Sequence, residues 1–545
     1  MFNVRQGSLS VAIEPAEHEE SVLAAIAGNP ELTIFAPCGG SGRCGKCAVT
    51  IPGDAPEPSA ADRRFLGETQ IAAGVRLACT CPADAVSEVV IPVRERGAFV
   101  KGAIPQFDAA PAVWEVARDA APLAVAVDIG TTTVAAYLID TATGEARSVV
   151  SEINRQSVYG ADVLSRISYS EQAPAHLGRL AAVVRAQLAE MIHALGDLSA
   201  AHDAGRQAIG TAVIVANTTM LHLLAGVSPS GIGRAPFVPE FVEHQIYAAT
   251  DLDLTISGDV HLIPSIAAYV GADIVSAAVA ADMDRDPRTT LLVDIGTNGE
   301  IALSHDGAIY TCSTAAGPAF EGASISAGVG GIAGAISSWH RHEAHFAVET
   351  IDDAPVVGIC GSGLLDLVAN LLNDGVMDET GRMLGAEEVA ELHDEVTRGS
   401  WSERIIEDES GPALTIAEGY RFTQKDVREV QLAKAAIAAG VDVLCAEAGI
   451  TVGDIERLVL TGGFGNHLRI DSAVRIGLLP HLPRERYVSI DNAAGRGAVM
   501  VLRHGGTLER MVALAGRARY IELSGHELFQ EQYIERMIFP EEVYG

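Results

Sequence analysis

The sequence predicts a multidomain chain: a small β-rich α+β unit followed by a larger, two-lobed α/β part. Three observations predict it. Five of the eight cysteines crowd between Cys38 and Cys81. From Leu123 the chain changes to apolar strands, Gly-Thr turns and Ala/Leu-rich helices, the alternation expected of an α/β fold. One figure, a strand closed by Asp-x-Gly-Thr and followed by a second strand, occurs at Leu123–Ile139 and again at Leu291–Ser304, as in two lobes built from a repeated unit. The expected boundaries are 1–95 for the first unit, 96–122 for a linker, 123–285 for the first lobe and 286–545 for the second.

Length and composition bound the function. At 545 residues and 48% hydrophobic, the chain can bury several cores. Lys+Arg 38 against Asp+Glu 71 leaves a formal charge of −33. Such a balance argues against a nucleic-acid groove or an anionic membrane surface, both of which need clustered cations. Aromatic content of 5% argues against stacking platforms for single strands. No run of about 18 apolar residues escapes charge or glycine, so no membrane-spanning helix is expected. Met1–Ile13 lacks the apolar core of a signal peptide, so a cytoplasmic setting is expected.

Within the first unit, Ser8–Ile13 alternates as a strand does, Glu20–Ala27 has helical spacing, and Cys47–Ile51 and Glu88–Val93 are strands. Residues 96–122 lose periodicity and carry Pro105, Pro111 and Pro122, the composition of a linker. Helices are expected over Leu177–Leu195, Ala267–Ala281, Gly363–Asn373 and Gln431–Gly449. A third strand with a Gly-rich exit runs over Leu458–Gly465. Asp374–Glu395 reads as a solvated acidic insertion.

The cysteine run is Pro37-Cys38-Gly-Gly-Ser-Gly-Arg-Cys44-Gly-Lys-Cys47, with Cys79 and Cys81 some thirty residues on. Its glycines let a loop fold tightly enough for backbone N–H groups to face sulfur. Four thiolates without histidine suit an iron–sulfur cluster rather than a Rieske centre. Structural zinc is the rival, but zinc ribbons use two C-x2-C knuckles and only Cys44/Cys47 form one. Spacing therefore favours a [2Fe–2S] cluster and leaves the fourth ligand open between Cys79 and Cys81, which share a face of an extended segment. Pro37–Cys47 with Leu77-Ala78-Cys79 resembles the plant-type ferredoxin domain. That resemblance implies a β-grasp fold and the ligand set Cys38, Cys44, Cys47 and Cys79.

The turns Asp128-Ile-Gly-Thr-Thr-Thr133 and Asp294-Ile-Gly-Thr-Asn-Gly299 each follow an apolar strand. Backbone amides of the glycine turn and threonine hydroxyls suit phosphate, and the aspartate offers a hard oxygen for hydrated Mg²⁺. A lone copy is a weak signal, because such a turn also closes an ordinary hairpin. Leu460-Thr-Gly-Gly-Phe-Gly465 is a third Gly-rich strand exit, suited to close approach of a base or ribose. With Pro264–Asp273 before the second turn and Asp491–Val499 after the third, the order resembles the phosphate, connect and adenosine motifs of the actin, sugar-kinase and heat-shock-chaperone superfamily. The resemblance implies an actin-like (ribonuclease H-like) ATPase. Gly130, Thr131, Thr132, Thr133, Gly296, Thr297 and Asn298 would hold ATP phosphates, Gly462 and Gly463 would lie by the adenosine, and Asp128 and Asp294 would position Mg²⁺ or water. Walker A and Rossmann glycine motifs are missing.

Smaller features are ambiguous. Gly358–Gly363 opens a helix and serves either an anion or tight packing. Cys312, Cys360 and Cys445 read as buried apolar side chains, and His222, His261 and His467 as structural. Lys434 either approaches the nucleotide or lies on a solvated helix face.

A ferredoxin-type cluster joined to an ATPase makes sense where nucleotide drives an unfavourable one-electron transfer. A plant-type cluster sits near about −400 mV, and each further 59 mV uphill costs about tenfold. The whole layout resembles the reductive activators of corrinoid proteins. This implies return of one electron, with ATP use, to a methyltransferase-system corrinoid protein that has fallen from Co(I) to Co(II). The corrinoid would belong to that partner, an upstream electron donor is required, and a homodimer fits the resemblance. Two alternatives are an ATP-gated donor to another low-potential enzyme, such as a radical dehydratase, and a non-catalytic redox-sensing nucleotide binder.

Overall fold

The computed structural model describes residues 1–7, 9–15, 21–27, 29, 32, 34, 36, 40, 42, 45–53, 55–92, 121–200, 207–322, 324–342, 345–392, 395–408, 411–462 and 468–541. Cys38, Cys44 and Gly463 lie outside them, as does nearly all of the expected linker. The chain falls into two compact units, Met1–Asp273 with Ala498–Glu509, and Ile274–Gly497 with the segment from Arg510 onward.

The N-terminal part of the first unit is a five-stranded sheet of β1 (Phe2–Gln6), β2 (Leu9–Ile13), β3 (Ala48–Thr50), β4 (Val75–Leu77) and β5 (Glu88–Val90). Its order is β2-β1-β5-β3-β4, with β1 and β5 parallel at Val4↔Val89. The short helix Val22–Ala27 buries Val22, Leu23 and Ile26 against Val4, Val49, Leu77 and Val89. A small core closed by one helix is what the alternating strands require.

The rest of the first unit carries β6 (Leu123–Ile129), β7 (Thr133–Asp140), β8 (Ala146–Ile153), β9 (Ile209–Ala216), β10 (Gln245–Ala248) and β11 (Asp259–Leu262) in the order β10-β11-β9-β6-β7-β8. Strand β6 pairs with β7 antiparallel and with β9 parallel. The second unit repeats this plan. It adds β12 (Thr290–Ile295), β13 (Gly299–His305) and β14 (Ala308–Thr314), then two small sheets of β15 (Ala335–His342), β16 (His345–Thr350) and β17 (Gly358–Ile359), and of β18 (Ile405–Asp408), β19 (Gly411–Ala417) and β20 (Tyr420–Thr423). Strands β21 (Arg457–Thr461), β22 (Tyr487–Ser489) and β23 (Arg519–Tyr520) complete its main sheet, ordered β22-β21-β12-β13-β14-β23. Here β12 pairs antiparallel with β13 and parallel with β21. In both sheets the central strand is an unbroken apolar run, as burial on two faces demands, and its last residues are the Asp-Ile of a glycine turn.

The expected helices occur, with longer or shifted ends, at Pro174–Ala200, Ala272–Ala280, Gly361–Asn373 and Gln424–Glu447. The third opens as a packing turn: a Cβ on Gly363 would lie 2.3 Å from the Ile336 carbonyl oxygen, and Ser362 donates to the Ser337 carbonyl. The acidic insertion is not simply solvated. Val376, Met377, Met383 and Val389 are buried in the second unit's core, because its apolar residues point inward between the carboxylates.

Lys434 takes neither expected position. It is buried in the long helix, donates from Nζ to the Ile538 carbonyl at 2.6 Å, and lies 5.0 Å from the centre of the Phe539 ring. Burial, helped by the nearby Arg536 cation, lowers its pKa to about 7. Between about pH 7 and the unfolded value near 10.5 the unfolded chain binds the extra proton, so this group makes stability rise with pH across that window. Below pH 7 both states are charged and the dependence vanishes. We expect urea unfolding of Lys434→Met to lose this rise, which amounts to at most about 1.4 kcal/mol per pH unit.

Candidate functional site: two aspartate-glycine-threonine turns and a cysteine-bearing loop

The first turn joins β6 to β7 and is closed by Gly130 N–H donating to the Thr133 carbonyl at 2.8 Å. Its three carbonyls are gripped from outside the hairpin. Asn154, fully buried at the end of β8, donates from Nδ2 to Gly130 O and from its backbone N–H to Thr132 O, both at 2.8 Å. Arg166, also fully buried, donates from Nη2 to Thr131 O at 2.5 Å and from Nε to Gly160 O at 3.0 Å. Across a trans peptide the N–H points opposite to the C=O. Carbonyls turned toward Asn154 and Arg166 therefore aim the amides of Thr131 and Thr132 the other way, the concave donor array that suits an anion.

Strand β9 adds a fourth contact. Asn217, just after it, caps the helix Thr218–Ala225 by accepting from Met220 N–H at 2.9 Å, and its Nδ2 donates to Thr131 Oγ1 at 3.1 Å. Since Thr131 Oγ1 accepts this bond, its own hydrogen can serve another acceptor. Thr218 Oγ1 donates to Ala267 O at 2.6 Å, which ties the same helix start to the Pro264–Asp273 segment. Asp128 is half-buried beside the turn, and Thr133 is exposed.

The second turn differs. Gly296 N–H donates to Asn298 O at 3.0 Å, and Thr297 Oγ1 donates to Glu321 Oε2 at 2.5 Å. The Thr297 hydroxyl hydrogen is thus held by a carboxylate. Register pairs Asp294 with Thr461 on β21, so the third Gly-rich exit begins beside the second turn. Gly462 has φ +95, and a Cβ there would sit 2.5 Å from Asp294 Oδ1. Only glycine fits both the angle and the space. The buried Thr461 hydroxyl accepts from Ala493 N–H at 3.0 Å, which places the start of the helix Ala493–Arg503 on the same strand end.

In the cysteine region, Gly40, Gly42 and Gly45 adopt φ between +68 and +78. A Cβ on Gly45 would lie 2.6 Å from Phe65, and one on Gly40 would approach Leu23 at 3.1 Å and the Cys79 Cβ at 3.9 Å. The loop therefore lies against Cys79, which follows β4. Ala78 N–H donates to Cys47 O at 2.9 Å and so ties these two cysteines' segments together. Asp62 Oδ1 accepts from Leu77 N–H at 2.7 Å. Cys81 is 2% exposed within the apolar core, and burial pushes its thiol up to about 11, whereas Cys79 is half-buried beside the loop. Left-handed glycines beside Cys79, with Cys47 tied to the same segment, suit an iron–sulfur cluster.

Sequence reasoning missed Asn154, Arg166, Asn217 and Glu321. Asn154 and Asn217 each stand at a strand-to-helix junction, where an asparagine reads as a cap. Arg166 and Glu321 gave no local signal, because their partners lie 35 and 24 residues away. We expect Gly462→Ala to lower stability by about 1–3 kcal/mol, measured by urea unfolding.

Three family profiles match the chain: "2Fe-2S iron-sulfur cluster binding domain" over residues 5–84, "RACo middle region" over 123–286, and "C-terminal domain of RACo the ASKHA domain" over 288–544. The corrinoid activation enzyme RamQ of Eubacterium limosum is 34% identical over 427 residues, covering 77% of this chain and 70% of the relative. A [Co(II) methylated amine-specific corrinoid protein] reductase of Methanosarcina barkeri is 27% identical over half of each chain. A solved structure titled reductive activator for corrinoid, iron–sulfur protein superposes with TM-score 0.69 at 26% identity, covering 99% of this chain and 98% of that one. The chain belongs to the corrinoid-activation family, in which a [2Fe–2S] domain precedes a middle region and an ASKHA domain.

Proposed function

We propose that this protein is an ATP-dependent reductive activator that delivers one electron to the Co(II) corrinoid of a methyltransferase-system partner protein and so restores Co(I). The observation that carries the reading is the union, on one chain, of a glycine-cradled cysteine domain with two copies of a phosphate-type turn, in a chain 34% identical to a corrinoid activation enzyme.

Cys38, Cys44, Cys47 and Cys79 would hold the cluster. A [2Fe–2S] cluster there supplies a one-electron donor near about −400 mV. The Cys47–Ala78 backbone bond fixes the spacing of two ligand segments. Cys81 would pack in the core, as the resemblance of Leu77-Ala78-Cys79 to the ferredoxin pattern implies.

In the lobes, Gly130–Thr133 and Gly296–Asn298 would hold ATP phosphates, and Asp128 and Asp294 would orient hydrated Mg²⁺ or the attacking water. Gly462 and Gly463 admit the adenosine. Nucleotide can shift electron transfer only by binding one conformation or complex better than another. An upstream one-electron donor is needed to restore the protein after each turnover.

Absorption spectra test this directly. A Co(II) corrinoid protein mixed with this protein and a low-potential reductant is expected to become Co(I) only when ATP is present. Reduction that ignores ATP, or none despite an intact chromophore and ATP hydrolysis, would overturn the activator reading. For the ligand set, Cys79→Ala is expected to lose the visible absorption of the purified protein, whereas Cys81→Ala keeps it. The reverse result would exchange their roles.

A further inference from the structure

The residues that grip the first turn belong to a segment that also touches the cysteine domain. Asn154 holds the turn through Gly130 and Thr132. Arg166 holds it through Thr131 while bonding the carbonyl of Gly160. Between these anchors run the single 3₁₀ turn Arg155–Val158 and Tyr159. Val158 packs on the core of the N-terminal sheet, and Tyr159, 7% exposed, donates from Oη to the Ala27 carbonyl at 2.5 Å. The Tyr159 ring lies 4.9 Å from that of Tyr169, which stacks on His176 at 4.0 Å, so the side chain is braced.

Ala27 ends the helix Val22–Ala27, and that helix reaches the cysteines. Val22 N–H donates to Cys81 O at 2.8 Å and Leu23 N–H to Ala78 O at 2.9 Å. The Leu23 side chain closes on Gly40. Seven consecutive residues, 154–160, thus connect the phosphate-type turn to the helix that backs the cysteine loop, with a hydrogen bond or packed side chain at every step.

We infer that residues 154–160 are the link by which occupancy of the first turn is felt in the cysteine domain, with Tyr159 as the positioning residue at its far end. The inference rests on the nucleotide reading of that turn given above. An anion drawn to the amides of Thr131 and Thr132 pulls on peptides whose carbonyls are held by Asn154 and Arg166, so the displacement is passed to Val158 and Tyr159. Spatial contiguity alone is not coupling. Coupling is measured as a response at one end that depends on the middle.

Hydrogen exchange of the full chain with and without MgATP provides that measurement, and it does not depend on corrinoid reduction. In the wild type, MgATP is expected to slow exchange at residues 128–135 and to change it at least about fivefold in the helix Val22–Ala27. Tyr159→Phe deletes only the Oη donor and keeps the ring. Val158→Ala trims the packing. In both, MgATP affinity by calorimetry is expected to stay within about twofold and the response at 128–135 to persist. Loss of the helix response in either variant on that background supports the link, and a helix response surviving intact in both overturns it. A wild type that responds at 128–135 but not at Val22–Ala27 overturns the link and leaves the nucleotide site standing. A wild type that responds at neither overturns the nucleotide reading, and the link with it. Should Val158→Ala fail to fold, Tyr159→Phe decides the question.

Discussion

The structure depends first on how three successive carbonyls, those of Gly130, Thr131 and Thr132, are satisfied. A tight hairpin turn cannot bond them internally, and buried carbonyls left alone cost about 1–3 kcal/mol each. Asn154 and Arg166 supply the donors, both from fully buried positions. That solution fixes the orientation of each peptide plane, and the amides of the turn are thereby aimed in a common direction. The buried guanidinium also leaves positive charge behind the turn. Removing either residue would cost more than one hydrogen bond, because the turn's geometry is their joint product.

The second lobe repeats the sheet order but surrounds its turn with other residues. The first lobe has Asn217 just beyond the parallel neighbour of its central strand, and the second has Gly462 just beyond its own. Asparagine reaches across to Thr131, while glycine lets backbone lie against Asp294. The threonines differ to match. Thr131 accepts a bond and keeps its hydrogen for an outside acceptor, whereas Thr297 gives its hydrogen to Glu321. Two turns alike in sequence are therefore unlike as donors.

This difference marks what the sequence could and could not reveal. Glycine and cysteine spacing is local, so the cradle around Cys47 and Cys79, the paired turns and the duplicated strands were legible. Lys434 and the acidic insertion depart from expectation for one reason: charge does not mark solvent where apolar surface adjoins it. In both places neighbouring apolar surface decides, drawing Lys434 under Phe539 and Met377 and Met383 into the core. Arg166 and Glu321 were illegible because each is defined by a partner brought near only by folding. Cys79 and Cys81 share a face of an extended segment, and only folding buries Cys81 while leaving Cys79 half-buried.

The energetic scale of the proposed chemistry is compatible with so slender a connection between turn and cysteine domain. Shifting a one-electron equilibrium tenfold takes 59 mV, about 1.4 kcal/mol. A net hydrogen bond contributes about 0.5–1.5 kcal/mol, and full burial of a valine side chain about 1.5–3 kcal/mol, of which the half-buried Val158 realises a part. On the proposed link, a Tyr159–Ala27 bond and a Val158 contact that differed between nucleotide states would be of the size needed for a shift of about one order of magnitude. No large rearrangement inside the first unit is required. What is required is that the contacts be discrete, and the braced ring of Tyr159 and the peptide planes held by Asn154 and Arg166 give them that character.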